Sequence, residues 1–463
     1  MTTTQNPSAT LELSTIQPIA AHERHGRARD LFTIWFGSNI MLLTVVTGAL
    51  AVTIFKLPFF SAVLALVLGH LLGGIFMALH SAQGPQLGVP QMVQTRGQFG
   101  SYGSLLVVAL VVIMYLGFFA SNLVLGGQTL SARFPVISTN QGILLVGALS
   151  VIASIFGYRL IHGYTRLMCW LSGAVLLVCF IWLLFVHGLP ADLLERNQTT
   201  IPGFLGALSI AALWQLAYAP YVSDYSRYMP QGTGSRTAFW SSYWGCCLGS
   251  ILPMLLGVLV GLSVGEGDVI AGLIDMTGGF SAVMVAVFSI GIAATNSMNL
   301  YCGTLSTITV GQTLIPAWNA QAGWRAVISL VLFGGSLAIA LLGQDNFMAN
   351  YTNFILLLLY VLVPWSAINL VDYYLVAHGE YDVLSFFRRD GGIYGTFNWT
   401  AVNCYILGIL VQIPFMSTAL YTGVAAQAMN GADISWVVGL GVVSPVYWLF
   451  SRKRQRSLKE ARA

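Results

Sequence analysis

Charge is confined in this chain to short gaps between long apolar runs: no Asp, Glu, Lys or Arg occurs between Leu57 and Gln94, nor between Met276 and Trp324. In hydrocarbon every backbone N–H and C=O must be paired within its own segment, and about 20 apolar residues are needed to cross a core of about 30 Å. Such runs read as spanning helices, and a soluble fold is excluded. Composition agrees, since 56% of the residues are hydrophobic and only 8% charged, against about 25% charged in soluble domains.

Hydropathy and punctuation together place twelve spans, at 33–55, 58–79, 104–130, 141–157, 167–187, 204–222, 240–264, 281–302, 325–342, 353–376, 401–422 and 434–450. Residues 1–30 form a polar tail with no apolar signal core, so insertion is expected to begin with the first span. A ten-helix transport core is expected over 31–390, two accessory helices over 391–450 and a basic tail over 451–463. With the N-terminus inside, every Lys and Arg falls on the cytoplasmic side except Lys56, Arg133 and Arg196. This satisfies the positive-inside rule and puts both termini in the cytoplasm, as in a protein of a plasma membrane or bacterial inner membrane. The net charge of +4 is then an inner-leaflet flank in contact with the lipid bilayer, not a nucleic-acid footprint.

The sequence offers no phosphate-cradling Gly-rich loop, no soluble output domain and no set of nucleophile, acid and base at one depth. An ATP-driven pump, a sensor and an enzyme are therefore disfavoured, and no organic cofactor is implied. Cys169, Cys179, Cys246, Cys247, Cys302 and Cys404 lie in or beside apolar stretches without metal spacing and read as packing residues.

Two spans are interrupted by helix-breaking or polar residues: the first at Trp35-Phe36-Gly37-Ser38-Asn39, the sixth at Tyr218-Ala219-Pro220-Tyr221-Val222-Ser223-Asp224. Broken helices in corresponding positions of two halves point to an inverted-repeat transporter, whose unwound backbone faces substrate and ion near the midplane. In span three Phe118 and Asn122 stand one turn apart on one face, pairing an aromatic plane with an amide; helix-to-helix bonding is the plain alternative for Asn122. In span eight Thr295 and Asn299 share a face, with Asn296 and Ser297 beside them, a density of polar groups that suits a lined cavity.

No carboxylate lies deep in any span, which favours a neutral, flat solute held by stacking and by amide groups. His70 and His80 are candidates for proton relay or simple interhelical hydrogen bonding. Asp224 and Arg227 after span six, and Asp372 after span ten, read as solvated interfacial groups or as parts of an inner gate.

The run from Ala219 to Pro230 (Ala-Pro-Tyr-Val-Ser-Asp-Tyr-Ser-Arg-Tyr-Met-Pro) resembles the signature that follows span six in the purine and cytosine permeases of the nucleobase:cation symporter family, which also includes hydantoin and allantoin transporters. Further matching stretches are Val89-Pro90-Gln91-Met92-Val93, Gly126-Gly127-Gln128, Val371-Asp372-Tyr373-Tyr374, Pro414-Phe415 and Gly431 to Trp436, so the similarity runs from about Asp30 to Phe450.

The resemblance implies an all-α membrane protein of LeuT-like fold, with a 5+5 inverted repeat plus two C-terminal helices. Substrate would lie between helices one, three, six and eight. The helix-three platform then falls on Phe118, where many relatives have Trp, with Asn122 below it. The helix-six platform falls on Tyr218, or with another gap placement on Trp214 with Gln215 beside it. Asn299, with Asn296 as its alternative, supplies the helix-eight amide, and Ser38 lies at the helix-one break. A sodium site would draw on Gly37, Ile40, Gly291, Ala294 and Thr295, although Ala294 lacks one hydroxyl of the expected pair. Sodium and proton coupling both stay open. The expected activity is import of a cytosine- or purine-type nucleobase by cation symport, the alternative being a hydantoin, allantoin or vitamin-like heterocycle.

Overall fold

The first span is two helices. In the computed structural model, which describes residues 16–460 apart from positions 157, 316 and 319–321, α1 (Ala28–Asn39) and α2 (Leu42–Thr53) meet at a 62° bend. Ile40 and Met41 leave the helical region, with ψ of 82° and 166°. Polar side chains replace the lost ladder: Asn39 Nδ2 donates to the Trp35 carbonyl at 2.7 Å and Thr44 Oγ1 to the Asn39 carbonyl at 2.5 Å. Freed backbone groups are tolerated at this depth when side chains re-satisfy them or a cavity receives them.

The sixth span is interrupted at the expected place but less sharply, its joint residues keeping right-handed helical dihedrals. After α3 (Phe59–Ser81), α4 (Gln91–Phe99), α5 (Ser104–Arg133), α6 (Thr139–Phe156) and α7 (Tyr158–Ile181) come α8 (Ile201–Leu216) and α9 (Ala219–Ser226). Ala217 and Tyr218 form the joint between these two, and Pro220, lacking an N–H, sits within the first turn of α9, where none is needed. The chain continues as α10 (Gly234–Val264), α11 (Val269–Thr277), α12 (Ser281–Leu314), α13 (Ala322–Gly343), α14 (Phe347–Val371), α15 (Trp399–Gln412) and α16 (Ser435–Glu460).

Around the breaks, α1 packs on α7 and α10, α2 on α10, α3 on α8, and α5 on α12. Small residues permit the close approaches: a Cβ on Gly257 would lie 1.9 Å from the Val45 carbonyl oxygen, and one on Gly73 2.3 Å from that of Ala212. The last two helices pack on each other and on α14. Large apolar side chains such as Trp170, Val331 and Leu342 project outward, as lipid-facing residues do. All six cysteines are buried free thiols.

Helices occur where each of the twelve spans was expected. Among the described residues seven stretches are long and apolar enough to cross a membrane by length and composition, eight counting the bent α1/α2 pair. Span eight runs on to Leu314, twelve residues past its expected end, because Thr304, Thr307, Thr309 and Thr313 satisfy their hydroxyls on the carbonyl one turn back. Span eleven instead stops early, since the turn at Pro414 and the Ser417–Thr422 bridge replace its expected last turns. The final helix continues into the basic tail as far as Glu460.

Helix α4 is a structural element where only a connection was expected. It is wholly buried despite its polarity. Several of its polar groups are paired with distant neighbours: Asn369 Nδ2 donates to Gln98 Oε1 at 3.3 Å, and the Gln91 N–H to Asp224 Oδ1 at 2.8 Å.

Candidate functional site

The break in the first span, the joint of the sixth and the midpoints of α5 and α12 surround a cavity with about 290 Å³ of empty space. Phe118 and Asn122 from α5 line one side; Trp214, Ala217, Tyr218 and Tyr221 from the sixth span line another; Met41, Thr295 and Asn299 complete it. The one-turn spacings that put Phe118 beside Asn122 and Thr295 beside Asn299 thus converge on one space. The two alternatives for the helix-six platform are not exclusive, because Trp214 and Tyr218 both line it.

The aromatic rings meet edge-on. Phe118 and Trp214 lie 6.4 Å apart between centroids at 79°, and Trp214 and Tyr218 6.3 Å apart at 70°. A flat ring stacked between two others needs about 7 Å, twice a ~3.5 Å carbon contact. Phe118 and Trp214 therefore stand at nearly the right separation to accept one after a change of ring angle.

The amides form a chain with a fixed direction. The Phe119 carbonyl can only accept, so Asn296 Nδ2 must donate to it, at 3.2 Å. Asn296 Oδ1 consequently faces the other way and accepts from Asn122 Nδ2 at 2.9 Å and Asn299 Nδ2 at 3.1 Å. Asn299 Oδ1 accepts from the Tyr221 hydroxyl at 2.7 Å. Within this chain of amides, Asn122 Oδ1 is left without a partner among the described residues. A backbone carbonyl therefore settles the amide orientations along the chain, and the open group at its end is an acceptor.

Gln215 does not reach the cavity. One residue along a helix turns the side chain by about 100°, which carries Gln215 away from the Trp214 face. It bonds instead to His70 Nδ1 at 2.9 Å and Ser250 Oγ at 3.3 Å. His70 is thereby an interhelical hydrogen-bonder, with Met254 Sδ 3.0 Å from its other nitrogen. Nor does the Ser38 side chain line the cavity: its hydroxyl folds back onto the Trp35 carbonyl at 3.3 Å. Asn296 stands behind the lining as the bridge between Asn122 and Asn299.

Backbone oxygens gather beside Thr295. Its hydroxyl donates to the Ser38 carbonyl at 2.7 Å and to the Gly291 carbonyl at 3.3 Å. The carbonyl of the broken helix that meets Thr295 is thus that of Ser38. Gly37 lies against the α7 backbone, a Cβ there falling 2.6 Å from the Thr165 carbonyl. Ala294 offers no side-chain oxygen, and its carbonyl accepts from Ser297 Oγ at 2.6 Å. Ile40 remains at the break, its carbonyl turned toward Gly291.

Met41 and Ala217 line the cavity without having been singled out from sequence, and two further residues, Asn39 and Tyr221, shape it. Asn39 accepts from Trp214 Nε1 at 2.8 Å and from Ser250 Oγ at 2.9 Å, joining the first span to the sixth and seventh. Tyr221 closes one end of the cavity, with the Tyr115 ring edge-on to it at 4.5 Å and the Tyr115 hydroxyl on the Pro220 carbonyl at 3.0 Å. Both stood inside motifs that the sequence displayed, yet nothing in spacing told which member of each motif would turn inward.

Beyond Tyr221 the protein is closed by further polar layers. Asp224 and Arg227 are buried, which overturns the solvated reading, with Asp224 held by the Gln91 N–H and Arg227 Nη2 donating to the Tyr301 hydroxyl at 3.2 Å. Asp372 is buried as well and accepts from the hydroxyls of Tyr381 and Tyr447. A separate open hollow is lined by Val46, Leu125, Gln128 and Phe347 among others.

Residues 18–439 match the family described as "Permease for cytosine/purines, uracil, thiamine, allantoin". The chain belongs to this permease family. It is accordingly an integral membrane transporter and not an enzyme. The permease is 43% identical over 449 residues to the putative purine-cytosine permease YxlA of Bacillus subtilis, covering 96% of each chain. It is 25% identical to the purine-cytosine permease fcyB of Emericella nidulans, over 92% of this chain and 85% of that one. Among solved structures it resembles Mhp1, a nucleobase-cation-symport-1 family transporter in a closed conformation with bromovinylhydantoin bound. The TM-score is 0.78 at 17% identity, covering 98% of this chain and 96% of that one. The permease therefore has the expected LeuT-like fold.

Proposed function

We propose that this permease is a secondary symporter that carries a cytosine- or purine-type nucleobase into the cell by alternating access. The observation that carries the reading is that Phe118, Trp214 and the amide of Asn122, whose Oδ1 has no partner among the described residues, line one buried cavity. Stacking on apolar rings selects a flat solute, and a bare acceptor in a desolvated wall selects one that offers an N–H. Nucleobases combine both properties.

Sodium is the coupling ion in this reading. Neutral oxygens of Ser38, Gly291 and Thr295 converge at the break of α1, and oxygen donors are what a hard cation requires. The ion would favour the bent arrangement of α1 and α2 that also shapes the substrate cavity, which is the linkage a symporter needs. The layers at Tyr115, Asp224 and Arg227 serve as the closed cytoplasmic gate, and the hollow beside Val46 as the external approach.

The test is initial uptake of labelled cytosine, adenine, hypoxanthine, uracil and allantoin into proteoliposomes, with and without an inward sodium gradient. Sodium-driven accumulation of at least one nucleobase is expected. Transport of allantoin alone would replace the nucleobase reading, and uptake that follows pH and ignores the exchange of sodium for choline would replace sodium by the proton.

A further inference from the structure

Ser172 lies on α7, outside every residue so far assigned to substrate or ion. It is fully buried, and its hydroxyl has no hydrogen-bond partner among the described residues. A hydroxyl in such a position is unfavourable unless something absent from the protein chain completes it. Gly291 shows what the hydroxyl adjoins. A Cβ placed on Gly291 would stand 3.4 Å from Ser172 Oγ and 3.4 Å from the Ile40 carbonyl oxygen, so both oxygens border one small space that glycine keeps clear. The Ile40 carbonyl, released by the break between α1 and α2, likewise accepts no hydrogen bond among the described residues. One turn along α12 from Gly291, Thr295 Oγ1 donates to both the Gly291 and the Ser38 carbonyls, which brings two further oxygens next to this glycine.

We infer that Ser172 is a ligand of the coupling cation, with α7 supplying the hydroxyl that Ala294 cannot supply from α12. The inference rests on the sodium reading above. The full oxygen set is then Ser38 O and Ile40 O from the broken helix, Gly291 O and Thr295 Oγ1 from α12, and Ser172 Oγ from α7. All five are neutral. Divalent ions are commonly held with the help of carboxylates, and no group of three His, Cys, Asp or Glu occurs among the described residues, so a monovalent hard cation is the class that fits. Because α7 packs against both α1 and α12, a ligand on it would make the position of α7 depend on the bound ion.

The experiment measures two things on the full-length protein across a sodium series with choline as replacement: thermal stabilisation in detergent and initial substrate uptake in proteoliposomes. Ser172→Ala should raise the half-saturating sodium concentration roughly tenfold, the loss of about one ligand contact, in both readouts. At saturating sodium its substrate affinity should match wild type. Ser172→Thr, which keeps the hydroxyl, should stay near wild type. Adding Ala294→Ser to Ser172→Ala should restore sodium affinity, a rescue that a packing role for Ser172 would not give. Unchanged sodium dependence in a folded Ser172→Ala protein, or no rescue by Ala294→Ser, overturns the inference while leaving sodium symport intact. A wild type indifferent to sodium in both readouts overturns the sodium reading and this inference with it.

Discussion

Trp214 donates its indole N–H to Asn39 Oδ1 at 2.8 Å, so the ring that walls the cavity is tied directly to the break in α1. Ser250 Oγ donates to the same oxygen at 2.9 Å, and Asn39 Nδ2 holds the Trp35 carbonyl. One amide therefore fixes both the bend of the first span and the angle of a substrate-facing ring. An ion that acts on the bend acts on the ring through this side chain.

Asn39→Leu should unpair the Trp214 and Ser250 donors together. The cost is about 1–3 kcal/mol for each buried group left unsatisfied, visible as a lower melting temperature and as weaker substrate binding. Asn39→Asp keeps an acceptor for the indole and should lose less. Equal binding by wild type and a folded Asn39→Leu protein would separate the bend from the ring.

Asn122→Ala removes the open acceptor. Substrate affinity should fall roughly ten- to a hundredfold, the equivalent of ~1.4–2.8 kcal/mol. The sharper check is a pair of ligands that differ by N-methylation of the donor. Wild type should discriminate strongly between them and Asn122→Ala hardly at all, since the two changes remove one interaction from opposite sides. Discrimination that survives in Asn122→Ala would show that the donor faces another group.

Trp214→Ala and Tyr218→Ala should each weaken binding, because both rings line the cavity. Trp214→Ala is expected to cost more, since it removes the larger ring and the indole bond to Asn39. Tyr218→Phe keeps the ring and should retain most transport. Competition binding with one labelled base ranks the three variants.

Tyr115→Phe and Asp224→Asn should loosen the gate beyond Tyr221, the first by freeing the Pro220 carbonyl and the second by weakening the acceptor of the Gln91 N–H. Cys302 is a convenient reporter, being buried beside the Tyr225 hydroxyl. Its alkylation rate, read by mass spectrometry, should rise roughly tenfold for a shift of ~1.4 kcal/mol toward the open state. Saturating substrate and sodium should bring the rate back down. A rate unchanged in both variants would remove these two bonds from the gate.

Gly257→Ala places a methyl 1.9 Å from the Val45 carbonyl oxygen, where backbone faces backbone and neither side can yield cheaply. Destabilisation of about 1–3 kcal/mol is expected from overpacking, measured as loss of folded protein in size-exclusion chromatography after heating. Serine at this position should be no better than alanine.

The one-dimensional pattern of charge and hydropathy was enough to define a membrane protein, the place of its spans and the break in the first, because lipid leaves a chain few ways to pair its backbone; the interruption of the sixth span is milder than its Pro220 suggested. Fixed helical spacing likewise put Phe118 with Asn122 and Thr295 with Asn299. The polar helix α4 stayed hidden, since several of its polar groups are paired with Asn369 and Asp224, far off in sequence. The same holds for the burial of Asp224 and Arg227 and the turning of Gln215 toward His70. Each depends on which face of a helix meets which neighbour, a rotation of about 100° per residue that local sequence does not specify. The direction of the amide chain is tertiary in the strictest sense: it starts from the Phe119 carbonyl, and only packing brings α12 to that atom.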